Sequence, residues 1–432
     1  MNADPGGWAR GAAWLALSAA IVAVIVLQAC LGTAPGPPAP PRAAPARLAG
    51  PSALAPFFSA LAALDRRQAE RPLRIIQIGD SHTANDSLSG RMREQFQQRF
   101  GDAGRGWLPA GVPYKYYQPR LVSVSETGWR HVKPRDNEPG LAFGLDAVDA
   151  QSDPRGAEMT IDSTGADGFD RFAVEFLARP RGSAFTLRID DGEPIRVSTA
   201  AAHAAVARFG RALDPPAHHV VLNAGGRPPV DLLGWTVERG GPGIIYENHG
   251  TIGATVDLLA QIAPEAVAYE LAVRQPALLV VAFGTNEGFS DELDPARYAQ
   301  RFYDAIAELR RHAPQAAILI LGTPDANRVD KGCQAAACGS APGLCTWQEP
   351  PKLAEVRDAQ RRVAETAGWA YWDWFRAMGG TCGIDRMTRL DPAMAAPDHV
   401  HLTKAGYEMI ADALFGDLMN AYGDWKSRGP TS

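Results

Sequence analysis

Four short stretches of the chain hold residue types that together can transfer an acyl group. They are Gly79-Asp80-Ser81-His82, Asn248–Thr255 (NHGTIGAT), Gly284-Thr285-Asn286-Glu287 and Asp398-His399-Val400-His401. Acyl transfer needs a nucleophile, a base that takes its proton, a group that orients the base, and donors aimed at the developing oxyanion. Ser81 can be the nucleophile and His401 the base. Asp398, three residues before His401, can accept from the second ring nitrogen. The oxyanion donors are the Ser81 N–H, the N–H of Gly253 in a turn where backbone can approach a ligand closely, and the side-chain NH2 of Asn286. Taken singly, each stretch has a plainer reading: a helix N-cap, a turn asparagine, a surface Asp–His contact. Four of them in this order, at the ends of predicted strands, make a catalytic set.

The elements around these stretches predict why they converge. Leu73–Ile78 is a short apolar run suited to a buried parallel strand, and it stops at Gly79-Asp80-Ser81. Leu88, Met92, Phe96 and Phe100 then lie along one helical face. The same rhythm resumes with a strand at 243–248, helical spacing from Val256 to Ile262, and strands at 277–283, 316–321 and near 369–374. Helices are predicted at 57–68, 298–312, 353–367 and 403–418. The fold class is therefore α/β, a three-layer α/β/α arrangement on a parallel sheet whose strand ends form the crevice. Between 105 and 240 the pattern changes to short alternating runs separated by turn residues, which predicts an inserted β-sandwich of jelly-roll type. The predicted organisation is 57–104 plus 241–425 for the α/β domain and 105–240 for the insert.

The N-terminus reads differently. Arg10 precedes an apolar run from Ala12 that ends in Leu27-Gln28-Ala29-Cys30, so 1–30 is expected to be an export signal, lipoprotein-like at Cys30, or an uncleaved membrane anchor. The Ala/Pro-rich 31–56 reads as a semi-rigid tether. Both place the body of the protein outside the cytoplasm, in the periplasm or cell envelope. Beyond Cys30, four cysteines remain (Cys333, Cys338, Cys345, Cys382), and their spacing fits two disulfides better than a zinc site lacking C-x2-C pairs. A net charge of −5 with no long basic run gives no nucleic-acid footprint. No metal set or phosphate-cradling loop is found; Gly240–Gly243 precedes a strand rather than a helix.

The four stretches resemble the SGNH (GDSL-like) hydrolases, whose blocks contribute Ser, Gly, Asn and His, here Ser81, Gly253, Asn286 and His401. The resemblance covers about 73–104 and 243–422. GTNE stands where that family usually has GxND. The GDSHT opening, FGDAGRGW after the first helix, the β-rich insert and Met378-Gly379-Gly380 resemble the peptidoglycan O-acetylesterase branch, in which the insert is similar to a carbohydrate-binding module. The resemblance implies a cofactor-free serine esterase removing O-acetyl groups from an envelope glycan, with a membrane tether and no nucleic-acid partner. The alternatives are an O-acetyltransferase with the same residues, a lipid esterase or lysophospholipase, and a non-catalytic glycan-binding protein. Other candidates have structural readings at least as good. His82 could touch substrate or simply pack, and His399, His218 and His219 read as structural. Trp235, Trp369, Trp372 and Trp374 could stack on sugars but sit at core spacing.

Overall fold

Residues 48–136, 143–329 and 347–429 are described by the computed structural model. Within them, strands 73–79, 278–282 and 317–321 are apolar throughout or nearly so, because helices cover both faces of their sheet. The period of two divides each strand between two cores. Ile75, Leu278, Val280 and Leu319 face a core closed by helices Ala55–Asp65, Asp86–Phe100 and Lys404–Arg428. Ile76, Ile78, Leu279, Val281 and Ile320 face the opposite core, closed by Pro264–Arg274, Pro295–His312 and Leu353–Ala367.

The strand order is Leu48–Ala49, Ala370–Trp372, Ala317–Leu321, Leu278–Ala282, Leu73–Gly79, Ile244–Gly250. All neighbours are parallel except the first pair. Gly79 lies in register with both Ala282 and Gly250, so three of the four sequence blocks leave the sheet side by side.

The insert contributes two antiparallel sheets. One runs Ile195–Ser198, Ala184–Ile189, His219–Ala224, Ala157–Ser163, Val122–Thr127. In the other, Phe169–Ala178 and Asp231–Glu238 pair centrally, and Gly104–Pro109 joins Asp231–Glu238. Met159, Ile161, Phe176, Leu187, Leu222 and Trp235 are among the residues of the core between them.

Three sequence expectations need correction. The tether read as 31–56 ends earlier: Leu48–Ala49 pairs with Tyr371 and Trp372, and Leu54 is fully buried. The helical spacing from Val256 gives a short 3-10 turn, Val256–Ala260, and the helix proper starts at Pro264, where a proline is preorganised for a first turn. The last helix runs on past Leu418 to Arg428, because Tyr422 and Trp425 pack on Phe58 with ring centroids 5.8 and 6.2 Å away. The signal or anchor, most of the tether, and Cys333, Cys338 and Cys345 lie outside the described residues; Cys382 is disulfide-bonded. No helix among the described residues is long and apolar enough to cross a membrane.

Between insert and sheet lies a buried ionic network. Arg74, on strand 73–79, is 2.9 Å from Glu247 and 2.9 Å from Glu238 of the insert. Arg274 reaches Glu247 at 3.3 Å and the insert's Glu175 at 3.4 Å, with its guanidinium 4.1 Å over the Trp107 ring. His249 stacks on Trp107 and pairs with Asp146 at 3.2 Å and Glu247 at 3.5 Å. Burial opposes charge on His249, but Asp146 and Glu247 outweigh it and raise it to about 9. Burial pushes Glu270 up to about 7. Glu247 is held at about 2: burial raises it, but His249, Arg74 and Arg274 prevail.

The signs follow from linkage. The stabilisation from charged His249 is full below its free value and lost as pH rises through about 9. That from neutral Glu270 is lost as pH rises through about 7, and that from Glu247 is lost only as pH falls toward about 2. Denaturant unfolding across pH 5.5–9.5 is therefore expected to show stability falling on the alkaline side, and His249→Gln should flatten that fall. An unchanged slope in the variant would remove His249 from this account.

Candidate active site

The nucleophile turn is built by crowding. A Cβ at Gly79 would lie 2.4 Å from the Ala282 carbonyl oxygen and 2.4 Å from Thr83 Oγ1, so only glycine lets the strand reach the helix here. Asp80 caps the short helix Ser81–Ala84 by accepting from the His82 N–H at 2.9 Å. Ser81 becomes the first helical residue, with an N–H free of any intrahelical partner and a half-buried side chain. Its Oγ is 2.8 Å from His401 Nε2.

His401 comes from the loop before the last helix. Its Nδ1 is 2.7 Å from Asp398 Oδ2, while Asp398 Oδ1 accepts from the N–H groups of Val400 (2.9 Å) and His401 (3.0 Å). Burial pushes Asp398 up, but these hydrogen bonds outweigh it and hold its carboxyl below the usual range, so it stays ionised at neutral pH. An ionised acceptor on Nδ1 leaves Nε2 as the lone-pair nitrogen facing Ser81.

The other two blocks are tied to the first. The Thr251 N–H donates to the Gly79 carbonyl at 3.0 Å, and Gly250 passes so close to Ala84 that a Cβ would sit 2.0 Å from its nitrogen. Gly253 follows, exposed, with φ +74° and nothing among the described residues within 4 Å of its Cβ position. Asn286, half-buried at the end of strand 278–282, donates one amide N–H to the Ala254 carbonyl at 2.7 Å, leaving the other for a ligand.

The remaining sequence candidates are placed as follows. His82 is 1% exposed; its Nδ1 bonds the Tyr407 hydroxyl at 2.9 Å and its ring lies 5.3 Å from that of His401. Burial and the neighbouring His401 push it down to about 3, so it is a neutral wall behind the base. His399 stacks on Trp347 at 4.0 Å, and His219 bonds Asp162 within the insert. His218 lies at the start of that same insert strand region, its N–H held by Asp190. Trp235, Trp372 and Trp374 are buried core; Trp369 is half-buried and stacked on Tyr303. Sequence reasoning missed Glu287, which is 3% exposed and accepts from the Val256 N–H at 2.8 Å. The one available signal was GTNE itself, an acidic residue beside the asparagine where the chain turns from strand to helix.

A parallel sheet between two helical layers, with Ser, His and Asp hydrogen-bonded in series at its C-terminal edge, defines an α/β acylhydrolase. Residues 195–409 match the GDSL-like Lipase/Acylhydrolase family model. That span holds Gly253, Asn286, Asp398 and His401, whereas Ser81 lies before it, on the far side of most of the insert. A solved structure of a peptidoglycan O-acetylesterase is similar over 85% of this chain and 96% of its own, with 27% identity and a TM-score of 0.69. More distant are a putative GDSL-like lipase from Parabacteroides merdae (19% identity, 42% of this chain and 73% of its own, TM-score 0.29) and a family two carbohydrate esterase from Cellvibrio japonicus (12%, 71% and 100%, 0.27). No protein of curated function matches the chain. Residues 195–409 thus form a GDSL-like lipase/acylhydrolase domain, and the protein is an esterase.

Proposed function

We propose that this esterase removes O-acetyl groups from a cell-envelope glycan, with peptidoglycan as the substrate. The observation that carries the reading is the hydrogen-bonded series Ser81–His401–Asp398, at 2.8 and 2.7 Å, on a chain whose insert and α/β domain together resemble a peptidoglycan O-acetylesterase over 85% of its length.

Ser81 Oγ attacks the acetyl carbonyl as its proton passes to His401 Nε2. The oxyanion is met by the Ser81 N–H, the Gly253 N–H and the free amide N–H of Asn286. As the C–O bond to the sugar breaks, His401 returns that proton to the leaving sugar hydroxyl. Water then attacks the acetyl-serine, again deprotonated by His401, and acetate leaves as Ser81 recovers its proton. Asp398 holds the tautomer and stabilises the imidazolium throughout. The N-terminal segment exports and tethers the protein, and the cysteines beyond it pair as disulfides, both consistent with an envelope substrate.

Incubation of the purified protein with O-acetylated peptidoglycan is expected to release acetate, with loss of the acetylated muropeptides by mass spectrometry. Hydrolysis of p-nitrophenyl acetate with no release from the polymer would overturn the glycan assignment. New acetyl groups appearing on an added sugar acceptor would instead support transfer.

A further inference from the structure

The loop carrying Gly253 is anchored on both sides of the glycine, and its exit residues Ala254 and Val256 are buried in the core closed by Pro264–Arg274, Pro295–His312 and Leu353–Ala367. At its start the Thr251 N–H bonds the Gly79 carbonyl and Thr251 Oγ1 bonds the Asp146 carbonyl at 2.9 Å. Its far side hangs from the turn Thr285–Gly288: Asn286 Nδ2 donates to Ala254 O at 2.7 Å, and Glu287 Oε1 accepts from the Val256 N–H at 2.8 Å.

That turn is itself closely packed. A Cβ at Gly284 would lie 1.9 Å from Thr323 Oγ1, and one at Gly288 would lie 2.3 Å from Leu353. The two bonds grip residues 254 and 256 on either side of the loop's exit. Gly253, with φ +74° and no neighbour around its Cβ position among the described residues, takes its direction from the residues on either side of it.

We propose that Glu287 is a positioning residue of the acyl-transfer site, forming with Asn286 a two-point clamp on Ala254 and Val256 that sets the direction of the Gly253 N–H. The inference rests on the serine-esterase reading of Ser81, Gly253 and Asn286 given above.

The environment of Glu287 argues against a purely stabilising role. Its Oε2 is buried without a hydrogen-bond partner among the described residues. Burial pushes it up to about 7, and its charge helps, after burial, to push Asp80 up to about 8. Two buried carboxyls beside each other cost stability that an apolar side chain would not. What an apolar residue lacks is an acceptor at the correct reach for the buried Val256 N–H.

The clamp requires an acceptor and a length, not a charge, and this separates the variants. Glu287→Gln keeps a carbonyl oxygen at the same reach and is expected to rescue kcat to within about threefold of wild type. Glu287→Asp keeps the charge but is one methylene short, and should lose about tenfold. Glu287→Leu should lose about a hundredfold in kcat with KM changed less than about threefold, since a displacement of about 1 Å at a catalytic group costs that much. All are measured with p-nitrophenyl acetate, per folded molecule by circular dichroism, beside Ser81→Ala.

Glu287→Asp outperforming Glu287→Gln, or Glu287→Leu matching wild type, overturns the clamp while an inactive Ser81→Ala leaves the esterase reading standing. If Ser81→Ala itself turns over like wild type, the reading of the site falls and the clamp with it. Should Glu287→Leu not fold, the Gln/Asp order decides alone.

Discussion

Ser81→Ala is expected to abolish hydrolysis of p-nitrophenyl acetate, lowering kcat by at least about 10⁴-fold, while the circular dichroism spectrum stays that of wild type. The fold should not notice the change. Among the described residues Ser81 Oγ bonds only His401 Nε2, and its turn is fixed by Gly79 and by the Asp80 cap rather than by the hydroxyl. His401→Ala should fall to a similar floor, and the double variant no lower, since nucleophile and base act as a unit.

Asp398→Asn should cost much less, about 10- to 100-fold. An aspartate with half its side-chain surface in water orients the base in competition with solvent, so less depends on it than on a fully buried partner. Equal losses for Asp398→Asn and His401→Ala would show that Asp398 does more than orient. Turnover by Ser81→Ala with a native spectrum would sink the nucleophile assignment outright.

Much of this site is legible in the sequence because its signals are local. Asp398 and His401 are three residues apart, and Gly79-Asp80-Ser81 is one turn at the end of one apolar strand. The insert's strands show a period of two, as in Ala184–Ile189, where half-buried and buried side chains alternate over the first four residues.

What escaped depends on partners distant in sequence. Leu48–Ala49 has no strand signal of its own and becomes one only by pairing with Tyr371 and Trp372. Glu287 acts on Val256, 31 residues earlier, and nothing in GTNE names that partner. Glu247 and His249 are charged positions inside an otherwise buried strand, a pattern that can mark either a misassigned strand or a charged interface. Only the arrival of Arg74, Arg274 and the insert's Asp146 decides between them.

That interface sets the largest expected loss of stability. Arg274→Ala should destabilise the folded protein by about 3–5 kcal/mol in denaturant unfolding, the scale of removing one partner from a buried ion pair. The side chains of Arg274 and Glu175 are each 2% exposed and that of Glu247 is fully buried, so neither carboxylate can turn to water once the guanidinium is gone. The Trp107 ring loses the cation stacked over it at 4.1 Å, and the side chain's volume is left as a cavity between insert and sheet.

Arg274→Lys tests which part matters. A lysine keeps the charge but cannot serve Glu247 through Nε and Glu175 through a terminal nitrogen at once, so it should recover part of the loss and not all of it. Because Glu175 belongs to the insert while Arg274 and Glu247 belong to the α/β domain, the damage falls on the joint between them. If the insert presents the polymer to the crevice, Arg274→Lys should lower kcat/KM for acetylated peptidoglycan more than for p-nitrophenyl acetate, which never used remote binding energy. If the insert is a brace, both activities should fall together with stability. A change below about 1 kcal/mol in Arg274→Ala would mean that the freed carboxyls simply take up protons, as Glu270 already does near pH 7.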